Sequence, residues 1–94
     1  MTESYNQAKE LENLFDTFIK ANSETRKSML YRLEALCSAI KNKSQSLYVG
    51  QNCTKFMVSC RQLARHRQPK NWDESREISN TLGYLNQIQQ NTDE

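Results

Sequence analysis

Apolar side chains return every third or fourth residue in four stretches of this 94-residue chain, and the breaks between those stretches are short and polar. That spacing aligns apolar groups along one stripe of a helix, and a stripe is buried only against another element. The cleanest run is Val49, Cys53, Phe56, Cys60, Leu63 and Arg67, which steps by four, three, four, three and four. It predicts a central helix over 47–67, thickened by Met57 and Ala64 and capped by Ser46.

The other stretches follow the same rule. Ala8, Leu11, Phe15 and Phe18 predict a helix over 4–21, with Leu14 and Ile19 widening its stripe. Met29, Leu33, Leu36 and Ile40 predict a second over 24–42, with Ser23 as its N-cap and Lys41 and Lys43 suiting the negative end of its dipole. After Pro69, which stops the central helix, Asn71-Trp72-Asp73-Glu74 has the form of a capping box. It opens a helix over 72–82 that carries Trp72, Ile78 and Leu82. Gly83 is expected to end or weaken that helix, Tyr84, Leu85 and Ile88 to begin a short fifth one over 84–90, and residues 89–94 to fray. The short break between the first two helices makes them antiparallel neighbours. The fold expected is all-α: a single domain, 1–94, built as an antiparallel bundle of four to five helices.

Two glycines and one proline in the whole chain agree with helices and argue against a turn-rich β fold. At 36% hydrophobic and 26% charged, the chain has a thin core for its length, which is consistent with partner-assisted stability or a larger parent chain. No stretch approaches the roughly 20 apolar residues that span a bilayer, so membrane insertion is not expected. Met1-Thr2-Glu3-Ser4 has neither a basic nor an apolar secretory region. With the odd cysteine count (Cys37, Cys53, Cys60), this leads to the expectation of reduced thiols in an intracellular protein, cytoplasmic or nuclear.

The net charge of +2 is unevenly laid out: −3 over residues 1–25, +9 over 26–70 and −4 over 71–94. Such a pattern fits either helices that neutralise one another within a bundle or a basic surface awaiting an anionic partner.

Enzymatic chemistry finds little to work with. His66 is the only histidine, and the cysteines lack the close pairing typical of zinc sites. Cys60 and His66, six apart on one helix, face different ways. Phosphate-binding, hydrolase and metalloprotease motifs are missing. The expectation is a non-catalytic chain with no cofactor and no metal. Two surfaces then compete for the function. One is basic: Arg61, Arg65, His66, Arg67 and Lys70, with Trp72 and Tyr48 as stacking rings, would suit RNA. The other uses the tyrosines and Trp72 as anchors for another protein. The protein-binding reading is preferred, since +2 falls short of the charge usual in nucleic-acid-binding domains. Homodimerisation through the seam of the third helix is a further reading.

Leu63-Ala64-Arg65-His66-Arg67 followed by Trp72-Asp73-Glu74-Ser75-Arg76-Glu77-Ile78-Ser79-Asn80-Thr81-Leu82 resembles the helical-domain family shared by the steroid receptor RNA activator protein and the C-terminus of the COPII outer-coat scaffold subunit. Arg32-Leu33-Glu34-Ala35-Leu36 and the Lys/Ser-rich break after it follow the family's order, so the resemblance covers about residues 8–88. Gln68-Pro69-Lys70-Asn71 is longer than the family's usual turn, and Ser79 stands where a histidine is common. The resemblance implies a non-enzymatic five-helix bundle used as a scaffold, adaptor or coregulator module.

Overall fold

A computed structural model describes residues 3–92 and consists of four α-helices: α1 (Glu3–Ile19), α2 (Ser23–Lys43), α3 (Leu47–Leu63) and α4 (Glu74–Thr92). Among the described residues there is no strand, and no helix is long and apolar enough to cross a membrane. The helices form a closed ring in which α1 packs on α2, α2 on α3, α3 on α4 and α4 on α1. The diagonal between α1 and α3 is bridged by aromatic rings. Phe15 meets Phe56 at 5.3 Å between centroids and 59° between planes, and Phe15 also stacks on Phe18.

The periodic residues fill the interior. Ala8, Leu11, Phe15 and Phe18 are buried from α1; Met29, Leu33, Cys37 and Ile40 from α2; Val49, Cys53, Phe56, Met57, Cys60 and Leu63 from α3. Leu36, expected on the stripe of α2, is only half-buried, and Cys37 takes the inner position. Ser46 caps α3 as the sequence suggests, its Oγ accepting from the Val49 amide at 3.3 Å. The N-cap of α2 is Asn22 and not Ser23: Asn22 Oδ1 accepts from the Thr25 amide at 2.8 Å. An Asx side chain and a serine are near-equal caps, so local preference alone does not separate the two.

Two boundaries differ more. The central helix stops at Leu63, four residues before Arg67, because side chains take the carbonyls that another turn would have used. Arg26 Nη1 donates to the Leu63 carbonyl at 2.9 Å, and Gln68 Nε2 donates to the Gln62 carbonyl at 2.6 Å. Gln62 returns a bond to the Gln68 side chain, also at 2.6 Å. Residues 64–73 are therefore a connection.

The last helix starts at Glu74, not Trp72, and the Asn71 capping box does not form. Asp73 caps instead, its Oδ1 accepting from the Arg76 amide and its carbonyl from the Glu77 amide. From there α4 runs unbroken through Gly83 to Thr92, so no separate fifth helix exists among the described residues, and 89–92 are helical where fraying was expected. The part of that expectation at 93–94 lies outside the described residues. Leu85, Ile88 and Thr92 are buried in the continued helix, which offsets the roughly 1 kcal/mol that a helical glycine costs.

Gly83 is exposed, has no positive φ, and a Cβ built on it meets nothing within 4 Å. Gly83→Ala is expected to stabilise the protein by about 1 kcal/mol, raising Tm by roughly 4–8 °C in a calorimetric scan. A fall in Tm would mean that α4 is not continuous there.

Candidate interaction surface

Charge is sorted by helix. α2 carries Arg26, Lys27, Arg32, Lys41 and Lys43 against Glu24 and Glu34, and α3 carries Lys55 and Arg61 with no acid. α1 carries Glu10, Glu12 and Asp16 against Lys9, with Lys20 just past its end, and α4 carries Glu74 and Glu77 against Arg76. Because α2 neighbours α3 and α4 neighbours α1, the basic pair and the acidic pair occupy opposite sides of the ring. Ion pairs do little to merge the two sides. Lys9–Glu12 lies within α1, Lys20–Asp16 ties α1 to the residue just after it, and Arg61–Glu34, at 3.6 Å, lies within the basic pair. Arg26–Glu74, at 3.0 Å, links a basic helix to an acidic one.

The large apolar groups left outside follow the same division. Tyr31 is 81% exposed, Leu47 85% and Val58 59%, and Tyr48 is exposed as well; all four belong to α2 and α3. Leu82 of α4 is the one such residue on the acidic side among those described. Tyr31 borders a groove of about 260 Å³ between α1 and α2, lined with Glu10, Leu14, Arg32, Ala35 and Leu36.

The residues expected to form one basic site are placed in three settings. Arg61 is on α3, turned toward α2 and paired with Glu34. Arg65, His66, Arg67 and Lys70 are exposed in the connection after α3, not on the helix itself. His66 Nδ1 lies 3.2 Å from Ser23 Oγ, which ties the connection to the start of α2. Arg65, Arg67 and Lys70 have no ion-pair partner among the described residues. Trp72 is half-buried against the core, and its Nε1 donates to Glu77 Oε1 at 3.4 Å. The hydroxyl of Tyr48, the other stacking candidate, donates to Gln87 Oε1 at 3.1 Å. Both rings thus have intramolecular bonds.

One residue of consequence was hidden among the basic ones. Arg26 is 6% exposed, and its guanidinium joins three helix ends. Nε donates to the Phe18 carbonyl at 3.1 Å, Nη2 to the Ile19 carbonyl at 2.7 Å, and Nη1 to both Leu63 and Glu74. Its flat face lies 5.6 Å from the centroid of Phe18. Arg26 therefore closes the last turns of α1 and α3 and holds the first turn of α4. A signal was available: Arg26, Met29, Leu33, Cys37 and Ile40 share one helical stripe, so a cation stands where an apolar residue is due.

The thiols form a second polar feature inside the basic pair. Cys37 and Cys53 line a cavity of about 150 Å³ with Glu34, Lys41, Met57 and Arg61, while Cys60 lies deeper and does not reach it. The Cys53 thiol is held below the ordinary cysteine range, chiefly by a hydrogen bond from Cys37, with help from the Lys41 ammonium. Cys37 is pushed up by the same bond and by burial, and Cys60 by burial. No set of three or more His, Cys, Asp or Glu among the described residues is arranged to hold a metal ion.

Comparison of the chain with protein-family models, with curated proteins and with solved structures returns no match.

Proposed function

We propose that this chain is a non-catalytic, antiparallel helical module that binds another protein through the outer face of α2 and α3, as a scaffold, adaptor or coregulator component within the cell. The observation that carries this reading is the coincidence of exposed anchors and cations on one pair of helices: Tyr31, Leu47 and Val58 among Lys27, Lys41 and Lys55. Aromatic and apolar groups supply buried area at an interface, and a surrounding field of one sign selects an acidic partner and speeds its approach. The partner chemistry that fits is an acidic segment with apolar anchors. The resemblance to the coat-scaffold and RNA-activator helical domains supports the same class of role.

A second reading, RNA binding, is favoured by one feature: Arg65, Arg67 and Lys70, three unpaired cations within six residues of an exposed connection. Affinity capture with the intact chain, followed by reconstitution from purified components, separates the two. On the protein reading, Tyr31→Ala weakens the reconstituted complex by about 2 kcal/mol, roughly thirtyfold in Kd. Lys27→Glu then slows association about tenfold. If the captured molecule is instead RNA, its affinity falls on the order of a thousandfold between about 50 and 200 mM salt. Reversing Arg65, Arg67 and Lys70 would then abolish binding. That outcome overturns the protein reading.

A further inference from the structure

We propose that Cys37 and Cys53 are a peroxide-responsive thiol pair, with Cys53 as the attacking sulfur and Cys37 as the resolving one, so that oxidation covalently joins α2 to α3. Three features of the fold place this chemistry at these two residues. Both thiols line the same cavity between α2 and α3, whose volume of about 150 Å³ admits a molecule the size of hydrogen peroxide. Lys41, one turn beyond Cys37 on α2, borders that cavity and brings a positive charge to it, as does Arg61 from α3. Cys60, two turns from Cys53 on α3, is buried outside the cavity and serves as the internal control.

The thiolate is the form that attacks an oxidant, so whatever stabilises it decides which sulfur reacts first. The Lys41 ammonium favours a negative sulfur at either thiol, and the hydrogen bond from Cys37 favours it at Cys53. Cys37, held protonated by the same contact and by its burial, is the poorer nucleophile and remains in place to resolve the product. In the first step the Cys53 thiolate attacks one oxygen of the peroxide and the O–O bond breaks. Sulfur keeps a hydroxyl as sulfenic acid, and the departing hydroxide takes a proton to become water. In the second step the Cys37 sulfur attacks the Cys53 sulfenic sulfur, the S–O bond breaks, and a second water leaves with the Cys37 proton. Two thiols are thereby oxidised to one disulfide and one peroxide is reduced to two waters. The closed loop contains the α2–α3 connection, so the bridge clamps two helices that also carry Tyr31 and Leu47. The chemistry does not depend on which partner those helices bind.

The test is peptide mapping of the intact folded chain after timed exposure to hydrogen peroxide, in wild type and in Cys37→Ser. The expected wild-type product is a Cys37–Cys53 linked peptide lacking two hydrogens, with Cys60 unmodified until urea is added. In Cys37→Ser the sulfenic acid has no resolving thiol, so dimedone is expected to label Cys53. Should serine at position 37 prevent folding, as judged by circular dichroism, Cys37→Ala replaces it. Oxidation of Cys60 at a rate equal to that of Cys53, or the absence of the linked peptide from folded wild-type protein, would overturn the proposal.

Discussion

Replacing Arg26 by methionine is expected to lower the unfolding free energy by about 3–5 kcal/mol, because it strips a buried guanidinium from the helix-end carbonyls it closes. The reason lies in what the guanidinium leaves behind. The Ile19 and Leu63 carbonyls would lose their only partner among the described residues, and Glu74 would lose its cation at the entrance to α4. Each buried acceptor stripped of a partner costs about 1–3 kcal/mol by itself. A chain of this length is stable by roughly 5–14 kcal/mol, so the variant would keep only a fraction of the original margin. Lysine at the same position keeps the charge but not the planar fork that reaches four acceptors on three helix ends, and Arg26→Lys is expected to recover less than half of the loss. Urea unfolding checks both variants. An unfolding free energy for Arg26→Met within about 1 kcal/mol of wild type would show that the three helix ends do not depend on this side chain.

Phe56→Ala is expected to cost a similar amount, about 3–5 kcal/mol, for a different reason. Phe56 is fully buried and reaches across the ring to Phe15, so its removal opens a cavity at a contact that bridges the diagonal between α1 and α3. The edge-tilted contact with Phe15 adds about 1 kcal/mol beyond the area term. Val58→Ala, two residues away on the exposed side of α3, supplies the comparison and is expected to change stability by less than about 0.5 kcal/mol. Equal effects from the two substitutions, in the same urea experiment, would mean that the assignment of inner and outer faces of α3 is wrong.

These two positions show why the fold was only partly legible beforehand. Phe56 was read correctly because its surroundings are local: Val49, Cys53, Cys60 and Leu63 repeat on one face, and that spacing alone says which way the ring points. Arg67 continues the same spacing and is not in the helix at all. Its exclusion depends on Arg26, 41 positions earlier in the chain, and on Gln68 folding back onto Gln62, and periodicity carries no trace of either contact. Gly83 misled in the opposite direction. A local preference of about 1 kcal/mol against helix was outweighed by burial of Leu85 and Ile88 further along. Trp72, expected to open α4, instead sits just before it in a turn closed by its own amide on the Pro69 carbonyl.

The candidate surface was less legible than the core. Residue type identified the cations after α3, but counting them as one cluster joined Arg61, which faces Glu34, to a connection that faces solvent. The +9 over residues 26–70 also includes Arg26, whose guanidinium is taken up by three helix ends. What the count did contain was the basic middle of the chain, and the fold turns that linear block into one side of a ring because α2 and α3 are neighbours. The exposure of Tyr31, Leu47 and Val58 on α2 and α3 had no counterpart in the apolar pattern, since each stands outside the stripe of its own helix.

Site-directed photocrosslinking addresses the binding face directly. A benzophenone side chain is introduced at Tyr31 or Val58, outside α2 and α3, and at Leu82 or Asn86, outside α4; the intact chain is then irradiated in a lysate. The expected result is one protein adduct common to positions 31 and 58 and missing from 82 and 86. Adducts formed only from the α4 positions, or adducts to nucleic acid from position 31, would contradict a protein partner seated on the basic pair of helices.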